Sequence, residues 1–203
     1  MSSRMLNNNL QAQSFALFDE LFPSFNDGDM QIGDYISPKR GKNLLSKDAI
    51  PGEVPVVAGG LEPATYHNVA NTVAPVITIS ASGANAGFVN LWQKPVWSSD
   101  SSFIDSAMTD DVYFWFALLK KRQKEIYDSQ TGSAQPHIYP QHISSMRLPS
   151  LNMDLVTEYV SRVKPFFALV GANLDESKHL ASLRDSLLPK LMSGEIDVSD
   201  VEI

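Results

Sequence analysis

The sequence predicts an α+β protein: a mixed, mostly antiparallel sheet flanked by a short N-terminal helix and a long, coiled-coil-like C-terminal helix. Three observations carry that expectation. Between about Gly33 and Leu151, short β-rich runs alternate with clusters of Gly, Pro, Asn and Ser. Ahead of them, LNNNLQAQSFALFDELF (6–22) sets Leu6, Leu10, Leu17 and Leu21 near one helical face. Behind them, Val156, Val160, Val163, Phe167, Val170 and Leu174 recur in alternating steps of four and three, a heptad seam.

In chain order, Pro23 ends the first helix and NDGD (26–29) reads as a loop, so the N-terminal segment is taken as 1–24. The strand candidates of the middle segment, 25–151, are VPVV (54–57), VAPVITIS (73–80), GFVNLW (87–92) and SSFIDS (101–106). DDVYFWFALLKKRQKEIY (110–127) reads as one helix, with Asp110 as its N-cap and basic residues in its later turns, where they suit the helix dipole. The third segment, 152–203, is dominated by a helix over 153–192. At 1.5 Å per residue it is roughly 60 Å long. Leu180, Leu183, Leu187, Leu188 and Leu191 extend its apolar face, Pro165 and Gly171 are expected to kink it, and Gly194 stops it ahead of a short strand-like run. A middle segment of this size cannot cover so long a helix. The helix over 6–22 is the nearest partner, and the remainder is expected to pair with a second copy of the chain, so that Val156, Val160, Val163, Phe167, Val170, Leu174, Leu183 and Leu187 are the candidate helix-pairing residues.

Composition bounds the function. With 203 residues, 43% of them hydrophobic, the chain has material for a packed core. It has no cysteine, which excludes disulfides and thiolate metal sites. The opening MSSRMLNNNLQ has no signal-like apolar core and no apolar run is long enough to span a bilayer, so a soluble, cytoplasmic chain is expected. The net charge of −7 argues against a polyanionic partner until it is located. Residues 1–30 carry one basic and four acidic side chains, residues 151–203 five and nine, and residues 31–150 ten of each. The acidity belongs to the flanks, and the middle is neutral.

No catalytic constellation stands out. His67, His137, His142 and His179 lack a supporting nucleophile or metal motif. Glu176-Ser177-Lys178 resembles a nuclease Glu-x-Lys, but it falls in the heptad helix instead of a strand. SASGANAG (80–87) lacks the Lys-Ser/Thr of a phosphate-binding loop and reads as a turn between strands. Its small polar residues, Ser82 and Asn85 among them, suit close approach to a nucleic-acid backbone. SPKRGKN (37–43) reads by default as a solvated loop; the alternative is that Lys39, Arg40 and Lys42, with Asn43, contact phosphates. GSAQPHI (132–138) is explained by a turn, or by base readout from Ser133, Gln135 and His137, since glutamine can pair bidentately with adenine.

Taken together these stretches resemble one half of the DNA-specificity subunit of type I restriction–modification systems. The ending LRDSLLPKLMSGEIDV (183–198) resembles the usual end of such subunits. PVVAGG (55–60), ISASGANAGFV (79–89), WSSD (97–100) and GSAQPHI (132–138) resemble a target-recognition domain, and LNNNLQAQSFALFDELF resembles the end of the conserved helix before a second such domain. One stretch departs: LPSLNMDLVTEYV lacks the acidic-Gln pair common where the long helix begins. The resemblance implies a non-catalytic chain that reads double-stranded DNA and needs no cofactor of its own. Separate methyltransferase subunits would bring S-adenosylmethionine, and a restriction subunit would cleave. The long helix would act as spacer and docking surface, and a half-subunit would form a homodimer that recreates the two-domain layout. The rival reading is a coiled-coil assembly adaptor whose mixed domain binds protein.

Overall fold

The computed structural model describes residues 2–132 and 134–196. It begins with helix α1, Ser3–Leu21. A short strand β1, Met30–Gln31, leads through a 3-10 turn to β2, Lys39–Arg40. The strands β3 (Val54–Val57), β4 (Thr65–His67), β5 (Val76–Ser80), β6 (Val89–Trp92), β7 (Trp97–Ser98) and β8 (Ser101–Asp105) follow. Then come α2 (Val112–Lys121), α3 (Gln123–Asp128), α4 (Pro140–Ser144), β9 (Arg147–Leu148) and the long α5 (Met153–Met192).

The strands form three small sheets, ordered β1-β9, β2-β8-β5-β6 and β4-β3-β7, and every pairing is antiparallel except β3 with β7. The predicted fold class therefore holds. β5 is buried on both faces, as its unbroken VITIS run requires, because α2 lies against one side and a second, smaller core of Val57, Val76, Val96 and Phe103 closes the other. Every residue from Val112 to Leu119 is buried. A helix apolar all round must be central, and α2 packs on β5 and β6 and also on α1 and α5.

The helix expected over 110–127 is two. It breaks at Arg122, whose side chain is buried, grips Glu125 through two N–H groups at 2.6 and 2.7 Å, and donates to the Arg147 carbonyl at 2.6 Å. The residue at the N-cap is Asp111, one later than expected, and its side chain makes no capping bond. Burial pushes the Asp111 carboxyl up, and neighbouring Asp110 adds to the rise.

α5 is one helix with Pro165 and Pro189 inside it. Asn152 caps it, accepting from the Asp154 and Leu155 amides at 3.0 and 3.4 Å. Gly194 takes φ +73° just past the last turn, the left-handed stop that the sequence pointed to. Glu195 and Ile196 fold back, both amides donating to the Lys190 carbonyl, so the strand-like run does not begin there; the rest of it, from 197, lies outside the described residues. Gly171 lies where α5 meets the sheet: a Cβ there would sit 2.9 Å from the Gln93 Cβ, so its absence permits close approach.

The seam along α5 differs from the predicted one. The buried line is Val156, Tyr159, Val163, Phe167 and Gly171, with Val160 and Val170 half-buried and Leu174 exposed. Its steps of mostly four residues match a helix lying on a domain, not a coiled coil. The partners are in the chain: α1 contributes Leu10, Leu17 and Phe18, and α2 stacks Tyr113 on Phe167 at 4.8 Å. The expectation that Val156, Val163 and Phe167 await a second copy is thus corrected. From Leu174 onward the helix runs past α1, and Leu180, Leu183, Leu187, Leu188 and Leu191 are exposed.

Candidate nucleic-acid interface

One rim of the sheet region collects the loops that the sequence singled out. Its centre is the tight turn between β7 and β8, from Trp97 to Ser101. Ser98 exchanges hydrogen bonds with the Asn71 amide at 2.7 and 2.9 Å, its hydroxyl meets that of Ser101 at 2.8 Å, and Ser99 donates through its backbone to Val57 at 2.8 Å and accepts from the Leu44 amide at 2.9 Å. A turn tied to three neighbouring segments holds the residue at its tip, Asp100, in a defined place.

Beside this turn lies the edge strand β2. Lys39 and Arg40 were expected in a loop; instead they pair with Phe103 and Ser102 of β8, which fixes their register. The ladder continues past the strand, with Gly41 N–H on the Ser101 carbonyl at 2.8 Å and Lys42 N–H on the Ser98 carbonyl at 2.9 Å. Trp97 donates from its indole to the Lys42 carbonyl at 2.8 Å. Lys39, Arg40, Lys42 and Asn43 are all exposed or partly exposed at this edge. Arg40 donates to the Asp100 carboxylate at 2.6 Å.

On the other side stands the hairpin between β5 and β6, the turn expected from SASGANAG, with Gly83 and Gly87 at positive φ. Ser82 donates its hydroxyl to the second carboxylate oxygen of Asp100, and the Ala81 amide donates to the Asp100 carbonyl at 3.1 Å. Asn85 reaches the Gly59 carbonyl at 3.4 Å. A Cβ on Gly59 would lie 2.7 Å from the Ser82 carbonyl, so the Gly-Gly after β3 lets the two loops touch. Polar side chains from behind brace the hairpin: Gln123 and Gln130 donate to the Gly87 and Ala86 carbonyls, each at 2.7 Å, and Lys120 donates to the Val89 carbonyl at 2.8 Å. Burial pushes the Lys120 ammonium down, and it lies 4.3 Å over the Phe88 ring.

The third loop closes the rim. Ser82 and Thr131 both form antiparallel bridges with His137, and the Gly83 amide donates to the Pro136 carbonyl at 3.1 Å. Gln135 is exposed here; Ser133 lies outside the described residues. The His137 ring stacks on exposed Tyr139 at 5.9 Å, and Tyr139 meets His142 edge-on at 5.6 Å.

Of the candidate contacts, the structure thus joins Arg40, Ser82 and His137 through Asp100 and the bridge, and sets Lys39, Lys42, Asn43, Asn85 and Gln135 on the adjoining segments. Sequence reasoning assigns no role to Asp100 or Tyr139. The WSSD tetrapeptide stands out as a pattern, but nothing in it reveals that its aspartate meets an arginine 60 positions away. The rim offers fixed donors, acceptors and exposed cations. The Ser82 hydroxyl faces a carboxylate and not an imidazole, so it is not set up as an activated nucleophile. Elsewhere, His67 is buried in packing, accepting from the Ile50 amide at 3.0 Å, and the Glu176–Lys178 stretch lies on the exposed part of α5. Among the described residues, no group of three or more potential ligands could hold a metal ion, and no helix is long and apolar enough to cross a membrane.

The same architecture occurs in known proteins. The chain superimposes on the S subunit of a type I restriction–modification system from M. genitalium with a TM-score of 0.65 at 20% identity, covering 93% of this chain and 54% of that one. In sequence it is 31% identical over 99 residues to the type I restriction enzyme MjaIX specificity subunit of Methanocaldococcus jannaschii, 48% of this chain and 23% of that protein. It is 23% identical over 172 residues to a Mycoplasma pneumoniae protein named as a type I specificity subunit, 81% of this chain and 45% of the other. No protein-family model matches. The chain is thus similar in sequence to type I specificity subunits and shares the fold of about half of the M. genitalium S subunit. It spans less than half the length of the curated relatives it matches.

Proposed function

We propose that this chain is a sequence-specific DNA-recognition component of a type I restriction–modification complex, acting as one half of a specificity subunit. The observation that carries the reading is the convergence of three loops and an edge strand on one braced rim, within a fold shared with an S subunit. Residues 25–151 form the recognition unit, with α1 and α5 as the conserved helical frame. Lys39, Lys42 and Asn43 position the phosphate backbone, while Ser82, Asn85, Gln135 and His137 are the candidates for base readout, joined on the sequence alone by Ser133. The chain directs chemistry done by others: methyltransferase subunits that carry S-adenosylmethionine, and a restriction subunit reached through the complex. It uses no cofactor, acts in the cytoplasm, and pairs through exposed Leu174, Leu183 and Leu187 of α5, with half-buried Val160 and Val170 at the margin, with an antiparallel second copy.

The test is binding of a randomised duplex library by the chain assembled with its methyltransferase. Enrichment of a defined motif is expected; uniform recovery of sequences would refute the reading. Replacing Lys39 or Lys42 with Ala should weaken binding to every sequence alike. It should also lower the slope of log K against log salt by about 0.9 for each phosphate that is no longer neutralised.

A further inference from the structure

Resting on that reading, we infer that Arg40 reads a guanine edge, held in place by Asp100, and does not serve as a phosphate clamp. Lys39 and Lys42 are exposed point charges on flexible stems, engaged in no ion pair among the described residues, and suit a phosphate. Arg40 is arranged otherwise. Its Nη2 donates to Asp100 at 2.6 Å, and the carboxylate beside it offsets the charge that would attract a phosphate and repels the phosphate itself. What remains is geometry. The guanidinium is planar and rigid, and among the described residues only its bond to Asp100 commits a donor; the side chain is 43% exposed. Guanine presents two acceptors, N7 and O6, in the major groove, and a fixed arginine meets them bidentately.

The anchor is itself anchored. Asp100 spends one oxygen on Arg40 and the other on the Ser82 hydroxyl, its carbonyl accepts from Ala81, and the turn beneath it is held by Ser98, Ser99 and Ser101. Arg40 is held at its base by the β2–β8 register. An ion pair this exposed adds little to folding stability, so a network built to immobilise it has more use in positioning than in holding the fold. Asp100 is the positioning residue, and Arg40 is the reader.

Two conservative substitutions separate the possibilities, each made in the full chain assembled with its methyltransferase and tested against the randomised duplex library. Arg40→Lys keeps the charge and removes the planar fork. Asp100→Asn keeps the shape and removes the charge that aligns Arg40. If Arg40 reads guanine, the motif enriched by the unmodified chain contains a guanine whose preference falls about 5- to 150-fold in both variants, while other positions keep theirs. Overall affinity for unselected DNA stays level or rises in Asp100→Asn. If Arg40 is a phosphate contact, Arg40→Lys is nearly silent and Asp100→Asn strengthens binding to all sequences alike; that result overturns the inference and leaves the recognition function standing. A motif without guanine overturns it equally. If the unmodified chain enriches nothing, the proposed function fails and the inference falls with it.

Discussion

The first and second halves of α5 both carry a line of apolar residues yet meet opposite surroundings. From Val156 to Gly171, the inward line is shut away beneath α1 and α2. From Leu174 to Met192, the leucines are 39–57% exposed and Met192 more so. The difference comes from length. α1, with 19 residues, reaches roughly 28 Å at 1.5 Å per residue, and α5, with 40, reaches roughly 60 Å. Periodicity in sequence reports that a helix has an apolar face; it does not report what covers that face.

The contrast can be broken most severely in the buried half. Val163 is fully buried, so Val163→Asp places an unpaired carboxylate between α5 and its neighbours. A loss of more than about 4 kcal/mol is expected, enough to abolish cooperative unfolding in a urea titration. This substitution therefore cannot serve to separate folded copies. Slightly smaller is Phe18→Ala. Phe18 is fully buried on α1 and meets Phe25 at 5.1 Å and Tyr159 at 5.6 Å, both edge-on. Emptying that site should cost about 3–5 kcal/mol, read as a lowered urea midpoint with unchanged slope.

The exposed half should respond in another way. Leu183→Asp with Leu187→Asp changes side chains that are 44% and 39% exposed, so the stability of the chain at low concentration should move by no more than about 0.5 kcal/mol in the same titration. If this half is the pairing surface, light scattering at micromolar concentration should show the unmodified chain as a dimer and the double variant as a monomer. An unmodified chain that is monomeric there would remove self-association as the use of these leucines.

What the sequence makes legible follows the same line. The α+β class, the terminal helices, the strands around Val54–Val57, Val76–Ser80 and Ser101–Asp105, and the stop at Gly194 are all readable, because each depends on local pattern or on a single backbone requirement. What is not readable depends on contacts distant in sequence. Tyr159 does not fit a heptad of valines, yet it is the largest fully buried side chain. Arg122 reads as one more cation in KKRQK, and only its buried grip on Glu125 and Arg147 explains why the helix breaks there. Lys39 and Arg40 sit in a Pro- and Gly-flanked stretch that suggests a loop; β8 recruits them as an edge strand. The candidate rim follows suit: its loops are visible one by one, and their meeting at Asp100 is not.

A single atom sharpens the comparison further. The Tyr159 hydroxyl lies inside the buried half and donates to the Ser14 carbonyl of α1 at 3.3 Å. Burial pushes its ionisation well above the ordinary phenol value of 10.0, and nearby Asp19 adds to the rise. Tyr159→Phe keeps the ring against Phe18 and Phe114 and removes one long hydrogen bond, so a loss of about 0.5–1.5 kcal/mol is expected at neutral pH. The pH dependence gives the sign a second check. A folded state that holds the phenol neutral is fully favoured below the unfolded pKa. That advantage is lost as pH rises past about 10, where the unfolded chain gains stability by ionising and the folded one resists. The unmodified chain should therefore lose stability between neutral pH and pH above 10 more steeply than Tyr159→Phe, and the two urea midpoints should converge as the solution becomes alkaline. Parallel profiles would mean that the hydroxyl reaches solvent, and that α1 does not seal this half of α5 as the structure describes.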